Sequence, residues 1–271
     1  MLSLKARKSN MRKSGVYLLL TALALTALAL SAGLLAQTRG TPPQAAPAPR
    51  TPEGKPDFSG FWSTPKQAGV TSNATVFTKE KMAPFKPGGE ALFYEPRTGD
   101  PRHDEPRAFC MPSGFPSAFF GPYPIQIVQS KDWFLMITEF ERVTRIIPLD
   151  GRPHRKDIEP TFYGDSVGKW EGDTLIIDSR NFKRWSLDDY YYVEPKEYRM
   201  HSEEFHTIER LRLVDRNTIS YEMTIDDPKI FTRPWSETFE MKLNPEWAKV
   251  GLYEFVCAEN NRCPGGNCSG K

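Results

Sequence analysis

The sequence predicts an all-β protein, an antiparallel meander of eight to nine strands that closes into a barrel or a strongly bent sandwich. From residue 124 onward, short segments alternate apolar and polar residues, the pattern of half-buried strands. Turn-forming groups such as Lys131-Asp132 and Asp215-Arg216-Asn217 separate these segments. The 24 prolines in 271 residues argue against long helices outside the N-terminus. Because so long a meander must hide its edge strands, the sheet has to close or stack.

The strand pattern recurs in segments joined mostly by short turns. In SVGKWEGDTLIIDS, residues 166–179, Glu171-Gly172-Asp173 is predicted to form a hairpin turn, with carboxylates that face water rather than a metal. Residues 63–122 are rich in Pro and Gly, so we expect long ordered loops there with a short strand or helix. Residues 181–200 are predicted to be a non-strand interlude. The strand segments are 125–129, 133–140, 143–149, 166–170, 174–179, 205–214, 218–225, 235–243 and 252–257.

The N-terminus has the pattern of an export signal. A basic flank precedes the uncharged apolar run Val16–Ala36, so residues 1–36 are predicted to be a signal helix that is cleaved, with translation starting at Met1 or Met11. The alternative is a retained anchor facing the periplasm, since the run is just long enough to span a bilayer. Residues 37–56 are expected to be a disordered Pro/Ala-rich tether, 57–257 the β domain and 258–271 a Cys/Gly-rich tail. We therefore expect a periplasmic or secreted protein.

Composition and cysteine usage limit the partners. The formal net charge is only +2, so no large basic surface argues for a nucleic-acid partner. The cysteines are Cys110, Cys257, Cys263 and Cys268, and export places them where disulfides persist. Of the three possible pairings we favour Cys110–Cys257 with Cys263–Cys268. A zinc site is the alternative, but the C-x5-C-x4-C spacing lacks the close pairs that zinc ligands favour.

Charged residues interrupt the apolar faces of four strands. Side chains alternate faces along a strand, and this parity places Glu139, Arg145, Glu209 and Glu237 among apolar neighbours. A buried carboxylate must be paired, hydrogen-bonded or protonated. The four charges therefore line a ligand cavity, form a salt-bridge network around Arg145, or point to water on strands that are apolar on both faces. The cavity candidates are Glu139, Arg145, Glu209, Glu237, Tyr221, Trp235 and His206.

Signals for catalysis and for metal binding are weak. His201 and His206 flank Ser-Glu-Glu-Phe at a spacing of five, which is not the helical metal pair, so a solvated loop is the interpretation we favour. His154 is interpreted in the same way. Neither Ser113 nor Ser166 lies in a G-x-S-x-G context. We therefore expect no metal and no cofactor, and the sequence argues slightly against an enzyme.

Several motifs resemble those of a known family. The segments PDFSGFW, CMPSGFP, ERVTRIIPLDGRPH, SVGKWEGDTLIIDS, HSEEFHTIERLRL and DDPKIFTRPW resemble, in the same order, a largely uncharacterised family of secreted bacterial proteins. That resemblance spans residues 56–257 and implies secretion, but no activity. Gly60-Phe61-Trp62 also resembles the first strand of lipocalin-like (calycin) barrels, in which the Trp closes the barrel floor. This second resemblance implies a lipocalin-like barrel and supports the fold more than the function.

Three functions are compatible with the sequence. The first is an exported protein that binds a small, partly apolar ligand in a barrel cavity, where Trp and Tyr supply walls and charges orient a polar end. The second is a periplasmic hydrolase or isomerase that uses a carboxylate or His206 as base. The third is an envelope-tethered interaction protein that presents loop 109–124 to a partner. The ligand and the oligomeric state stay open.

Overall fold

Twelve β-strands and two short helices form the regular structure of the described residues in the computed structural model. These residues are 48–63, 77, 79–100, 104, 109–188 and 197–257, and they belong to the compact unit Ala46–Lys271. Short 3-10 turns cover Ser117–Phe119 and Phe140–Arg142. The helices are α1 (Gly89–Phe93) and α2 (Trp247–Val250). The strands are β1 (Gly60–Trp62), β2 (Tyr94–Pro96), β3 (Ile125–Gln129), β4 (Trp133–Thr138), β5 (Thr144–Pro148), β6 (Asp165–Glu171), β7 (Thr174–Arg180), β8 (Trp185–Ser186), β9 (Glu197–His201), β10 (His206–Asp215), β11 (Thr218–Asp226) and β12 (Trp235–Lys242).

Two antiparallel sheets make up the predicted meander. The first has the strand order β1-β3-β4-β5, and the second has the order β12-β11-β10-β7-β6. Neighbouring strands in both sheets pair antiparallel, mostly as sequential hairpins. The all-β, antiparallel prediction is therefore confirmed.

The two sheets are joined by backbone hydrogen bonds on one side. Trp62 of β1 bridges Leu243 just beyond β12, and Ser63 N donates to the Lys242 carbonyl at 2.8 Å. On the other side, no strand ladder connects β5 and β6 in the described chain. There Pro148 lacks an N–H, and Ile147 and Leu149 pack over Gly168, where an added Cβ would lie 2.5 Å from Leu149 Cδ2. Of the two predicted arrangements, a closed barrel or a strongly bent sandwich, the closed barrel is not found in the described chain, because side-chain packing replaces the last ladder.

A third sheet corrects two expectations about the loops. Strands β2, β9 and β8 pair in that order, so the predicted non-strand interlude 181–200 contains two strands. Residues 252–257, predicted to be the last strand, form no strand. Their backbone is held by side chains instead, since Tyr253 N donates to the Glu139 carboxylate at 3.0 Å and Arg142 donates to the Leu252 carbonyl at 2.8 Å.

Aromatic side chains fill the space between the two main sheets. Phe115, Phe119 and Phe120 come from the Pro/Gly-rich loop before β3 and are at most 4% exposed. Phe115 stacks on Phe182 at 5.8 Å, and Phe120 lies 5.9 Å from the Tyr221 ring. The loop therefore supplies much of the core, and the interior is packed with side chains instead of forming a wide lumen.

Parity assigns the inner face well on four strands and fails on one. The predicted inner sets of β10, β11 and β12 are mostly buried, and so is Arg145 on β5. On β4 the inner residues are Phe134, Met136 and Thr138, whereas Trp133 is 36% exposed on the outer face. Both faces of this strand are apolar, so its alternation contained no polar marker.

The predicted Cys110–Cys257 disulfide is confirmed, with the two Cα atoms 5.7 Å apart. The predicted Cys263–Cys268 pair, the signal segment 1–36 and the tail 258–271 lie outside the described residues. Residues 48–56 of the predicted tether are ordered against the β6–β7 hairpin, where Arg50 forms a 2.6 Å ion pair with Asp173. Among the described residues, no helix has the length and apolar character needed to cross a membrane.

Candidate functional site

A buried ion pair with three hydroxyl partners lies between the sheets. Arg145 binds Glu209 through two contacts, Nη1 to Oε2 at 2.9 Å and Nη2 to Oε1 at 2.7 Å. Tyr221 donates its hydroxyl to Glu209 Oε2 at 2.7 Å. Arg145 Nη2 also donates to the hydroxyls of Ser166 and Ser179, at 3.1 and 3.0 Å. We call these five residues the inner network.

Burial and charge fix the protonation of the inner network. Burial alone would lower the pKa of Arg145, but the charge of Glu209 and its hydrogen bonds outweigh burial and raise the pKa above its ordinary value. Burial, reinforced by the Glu209 charge, raises the pKa of Tyr221 well above its ordinary value. Arg145 is therefore charged and Tyr221 is a neutral donor. The guanidinium also lies 4.1 Å from the Phe115 ring centre, which is a cation–π contact.

A second set of titratable groups lies on the outer face of β6, β7 and β10. His154 contacts Asp165 Oδ2 through Nδ1 and Asp178 Oδ1 through Nε2, both at 2.9 Å. His206 Nε2 contacts the same Asp178 oxygen at 3.0 Å. The two ring nitrogens of His154 thus bridge the carboxylates of two neighbouring strands. We call Asp165, His154, Asp178 and His206 the outer network.

The carboxylates of the outer network are ionised. Burial alone would raise the pKa of Asp178, but hydrogen bonds from His206, His154 and Arg180 hold it far below its ordinary value. Burial alone would also raise the pKa of Asp165, but hydrogen bonds from Arg155 and His154 lower it below its ordinary value. The outer network therefore places two ionised carboxylates and two imidazole rings together on the outer face of β6, β7 and β10.

Two dipeptides place the networks back to back. Asp165-Ser166 on β6 and Asp178-Ser179 on β7 each direct a carboxylate outward and a hydroxyl inward, because successive strand residues point to opposite faces. The two serine hydroxyls are 2.8 Å apart. The edge of β6 therefore belongs to both networks.

A cleft of about 380 Å³ opens where the edges of β5 and β6 face each other. It touches the inner network at Arg145 and Ser166 and the outer network at Asp165. Its apolar wall includes Trp133 and Ile146, and Ile146 is 57% exposed. The complete lining is Trp133, Thr144, Arg145, Ile146, Pro148, Arg152, Pro153, Arg155, Tyr163, Gly164, Asp165, Ser166 and Val167, and we call this the β5–β6 cleft.

The side walls of the β5–β6 cleft are held by local contacts. The Arg152 guanidinium lies over the Trp133 ring, 4.9 Å from its centre. Tyr163 donates its hydroxyl to Glu141 at 3.1 Å, and Glu141 also accepts from Ser113 N and Oγ at 2.9 and 2.7 Å. Glu141 has a φ of 60°, an unusual conformation for a residue with a side chain, and these three contacts hold its carboxylate in place. Tyr163 is thus fixed from behind.

The structure brings some of the predicted cavity residues together and separates others. Arg145, Glu209 and Tyr221 meet in the inner network, while His206 joins the outer one. The prediction that Glu139 lies on the inner face is wrong. Glu139 follows β4, whose buried and exposed faces are the reverse of the predicted ones, and its carboxylate accepts a hydrogen bond from Tyr253 N in the 252–257 segment. Glu237 and Trp235 are buried on β12, where Glu237 pairs with Lys81 and Trp235 packs against Phe77 and Phe231.

The structure corrects the interpretation of two histidines. His201 is not solvated: it is 2% exposed at the end of β9, stacks on Phe205 at 4.2 Å, and burial lowers its pKa to about 4. His154 is also not solvated, since both ring nitrogens are bound. Within the described chain, no group of three His, Cys, Asp or Glu residues is arranged to hold a metal.

Five contributors to the site were missed in the sequence, namely His154, Asp165, Asp178, Ser166 and Ser179. Ser179 shares its face with the buried Leu175 and Ile177, so parity could have found it. No comparable signal marked Asp165, because its importance depends on a loop residue, His154, that approaches from outside the strand pattern.

A scan against protein-family models finds no match for this chain, and a search of curated proteins finds none either. The resemblances to a secreted bacterial family and to lipocalin-like barrels therefore remain expectations from the sequence. Three of the segments that carry the first resemblance nevertheless meet in the two networks. They supply Arg145 and His154, Ser166 and Asp178, and His206 and Glu209 respectively.

Proposed function

We propose that this protein is an exported binding protein for a small, partly apolar ligand, and that the ligand occupies the β5–β6 cleft. The observation that carries the proposal is the combination of surfaces in that cleft. Trp133 and Ile146 offer apolar area, while Arg145 and Ser166 offer polar groups fixed by the inner network. Few, well-placed polar groups in an otherwise apolar concavity are typical of small-molecule sites.

The size and rigidity of the cleft support the proposal. Its volume of about 380 Å³ falls within the range of small-molecule sites, roughly 300–1,000 Å³. Arg145 is held by Glu209, Ser166 and Ser179, so little side-chain freedom remains to be lost on binding. The space between the sheets is a poorer candidate, because aromatic side chains occupy it.

Export is supported by the cysteine chemistry and by the N-terminal pattern. The Cys110–Cys257 disulfide is of a kind that persists in oxidising compartments. The basic flank and apolar run before residue 37 have the composition of a signal peptide.

Native mass spectrometry of protein purified from its own host tests the proposal. We expect a bound small molecule in the wild type, retention of that molecule in Tyr123→Ala, and its loss in Trp133→Ala. Tyr123 is a matched control, because it is an aromatic residue of similar exposure, 38% against 36% for Trp133, and it does not line the cleft. Equal occupancy in the two variants, or no bound molecule in the wild type, would count against the proposal. The same spectrum reports the mature mass and hence signal cleavage.

A second candidate function, a hydrolase or isomerase, is favoured by one observation. His206 lies 3.0 Å from Asp178, and Asp178 lines a pocket of about 450 Å³ with Val167, Ile176 and Ile208. A neutral His206 that donates Nε2–H to Asp178 would keep Nδ1 as a base. Turnover of an ester or isomerase panel that disappears in His206→Ala would favour this candidate, and unchanged turnover in that variant would exclude His206 as the base.

The interaction-protein alternative has less support. In loop 109–124, Phe115, Phe119 and Phe120 are buried in the core, which leaves only Phe109 and Tyr123 as exposed aromatic side chains of that loop.

A further inference from the structure

Hydrogen-bond donors outnumber acceptors among the charged groups of the β5–β6 cleft. Three arginines, Arg145, Arg152 and Arg155, line it together with a single carboxylate, Asp165, among the described residues. Each guanidinium carries five N–H donors, so partial use of one group still leaves donors for a ligand.

The deepest of these donors has no acceptor. Arg145 is 4% exposed, and its Nε has no hydrogen-bond partner in the described chain, although both Nη atoms are used. Buried polar groups in folded proteins are nearly always hydrogen-bonded, so this unused N–H is uncommon. It belongs to a residue that lines the cleft.

The rim arginines also have unused donors. Arg152 binds Asp150 through Nε and Nη2, which leaves Nη1 without a partner in the described chain. Arg155 binds Asp165 through its backbone N and Nε, which leaves both Nη atoms without one. These two side chains are 47% and 63% exposed, so their remaining N–H groups face solvent or a ligand.

The single carboxylate is already neutralised. Asp165 accepts from Arg155 N at 3.0 Å, from Arg155 Nε at 2.6 Å and from His154 Nδ1 at 2.9 Å. Its charge is compensated by the Arg155 guanidinium, so it offers little repulsion to an anionic ligand. Because Arg145 and Arg152 are likewise paired, with Glu209 and Asp150, the cleft attracts a negative group through its unused N–H donors and not through net charge.

The apolar wall requires the rest of the ligand to be hydrophobic. Trp133 presents a ring beneath the Arg152 guanidinium, and Ile146 and Val167 lie beside it. Flat apolar groups gain from contact with such rings beyond simple burial of area.

We infer that the ligand of the β5–β6 cleft is an aromatic carboxylic acid, with its carboxylate toward Arg145 and Ser166 and its ring toward Trp133. This inference rests on the proposed function and names the chemical class of its ligand. Arg152 and Arg155 bind the carboxylate from the rim, and Ser166 donates or accepts through its hydroxyl.

Isothermal titration with matched probes tests the class. The probes are phenylpropanoate, its primary amide, phenylpropylamine and acetate, which separate the charge from the ring. We expect the acid to bind at least tenfold more tightly than the amide, and acetate and the amine to bind more weakly still. Trp133→Ala should weaken both the acid and the amide.

Two double variants that remove the same charge distinguish direct contacts in the cleft from the effect of the protein's overall charge on binding. The double variant Arg152→Gln/Arg155→Gln should weaken acid binding at least tenfold and change amide binding less than twofold. The control Arg212→Gln/Arg216→Gln removes the same charge from exposed residues of β10 and its turn, and should leave both affinities unchanged. An equal loss in the two double variants would overturn the inference.

The remaining outcomes are also decisive. Equal affinity for acid and amide, both sensitive to Trp133→Ala, would overturn the acid class and leave the cleft as a binding site. Failure of every probe to bind would overturn the inference, while a co-purifying neutral molecule that depends on Trp133 would still support the proposed function. Retention of the co-purifying molecule in Trp133→Ala would contradict both the inference and the proposed function.

Discussion

Arg145 on β5 and Glu209 on β10 form a two-point ion pair, at 2.9 and 2.7 Å, that joins the two main sheets beside the opening where β5 and β6 do not pair. Both side chains are almost completely buried. The pair therefore replaces, with side chains, part of the connection that a strand ladder would have made. It also fixes the guanidinium that lines the β5–β6 cleft.

Removal of one partner of this ion pair should be strongly destabilising. Arg145→Met or Glu209→Leu leaves an uncompensated buried charge, so we expect the free energy of unfolding to fall by about 3–5 kcal/mol in either variant. The double variant should recover much of that loss, since no unpaired charge remains. Urea denaturation followed by tryptophan fluorescence measures all three. A loss below about 1 kcal/mol in both single variants would contradict a charged, buried pair.

The Tyr221 hydroxyl should contribute measurably to the same network. Tyr221→Phe removes one donor to the charged Glu209, and we expect a loss of about 1.5–3 kcal/mol in unfolding free energy. In the Glu209→Leu background the same substitution should cost much less, because its acceptor is gone. A double-mutant cycle by urea denaturation gives the coupling, and additive effects would exclude the hydrogen bond.

The outer network should make stability depend on acid pH. Asp178 and Asp165 have pKa values below their ordinary range in the folded protein, so the unfolded chain binds more protons as the pH falls. Their stabilisation is present above the unfolded pKa, about 3.9, and is lost as the pH falls below it. Asp178→Asn should flatten the decrease in melting temperature between about pH 5 and pH 2. An identical pH profile of the melting temperature in wild type and variant would refute the lowered pKa of Asp178 in the folded protein.

The Cys110–Cys257 disulfide should contribute a large share of the stability. It closes a segment with a sequence separation of 147 residues, so the chain-entropy model gives roughly 4–5 kcal/mol. The double variant Cys110→Ser/Cys257→Ser should unfold at correspondingly lower urea concentration, and a reducing agent should not lower it further. Wild-type stability in that variant would show that the bond has no structural role.

Sequence parity predicted the centre of the inner network and could not predict its surroundings. Glu209, Arg145 and Tyr221 lie on strands where the opposite face carries polar residues or the apolar set is clear, so the alternation identifies which side is buried. It failed for Glu139 because β4 is apolar on both faces.

The alternation of apolar and polar residues did not predict that β5 and β6 leave their facing edges unpaired. Alternation along one strand reports which face is buried and says nothing about which neighbour pairs with its edge. The contribution of His154 was equally hidden, because it approaches Asp165 and Asp178 from a loop without periodicity. The cleft therefore became visible only when the two sheets and this loop were placed together.

Hydrogen–deuterium exchange of ligand-loaded against ligand-stripped protein tests whether the ligand occupies the β5–β6 cleft. We expect slower exchange in the loaded protein within residues 144–148 and 163–167, which line the cleft. Residues 219–225 of the central strand β11 should be unchanged, as the internal control. Protection confined to residues 168–176 and 208–210, which line the pocket beside Asp178, would contradict the claim and move the site to the outer network.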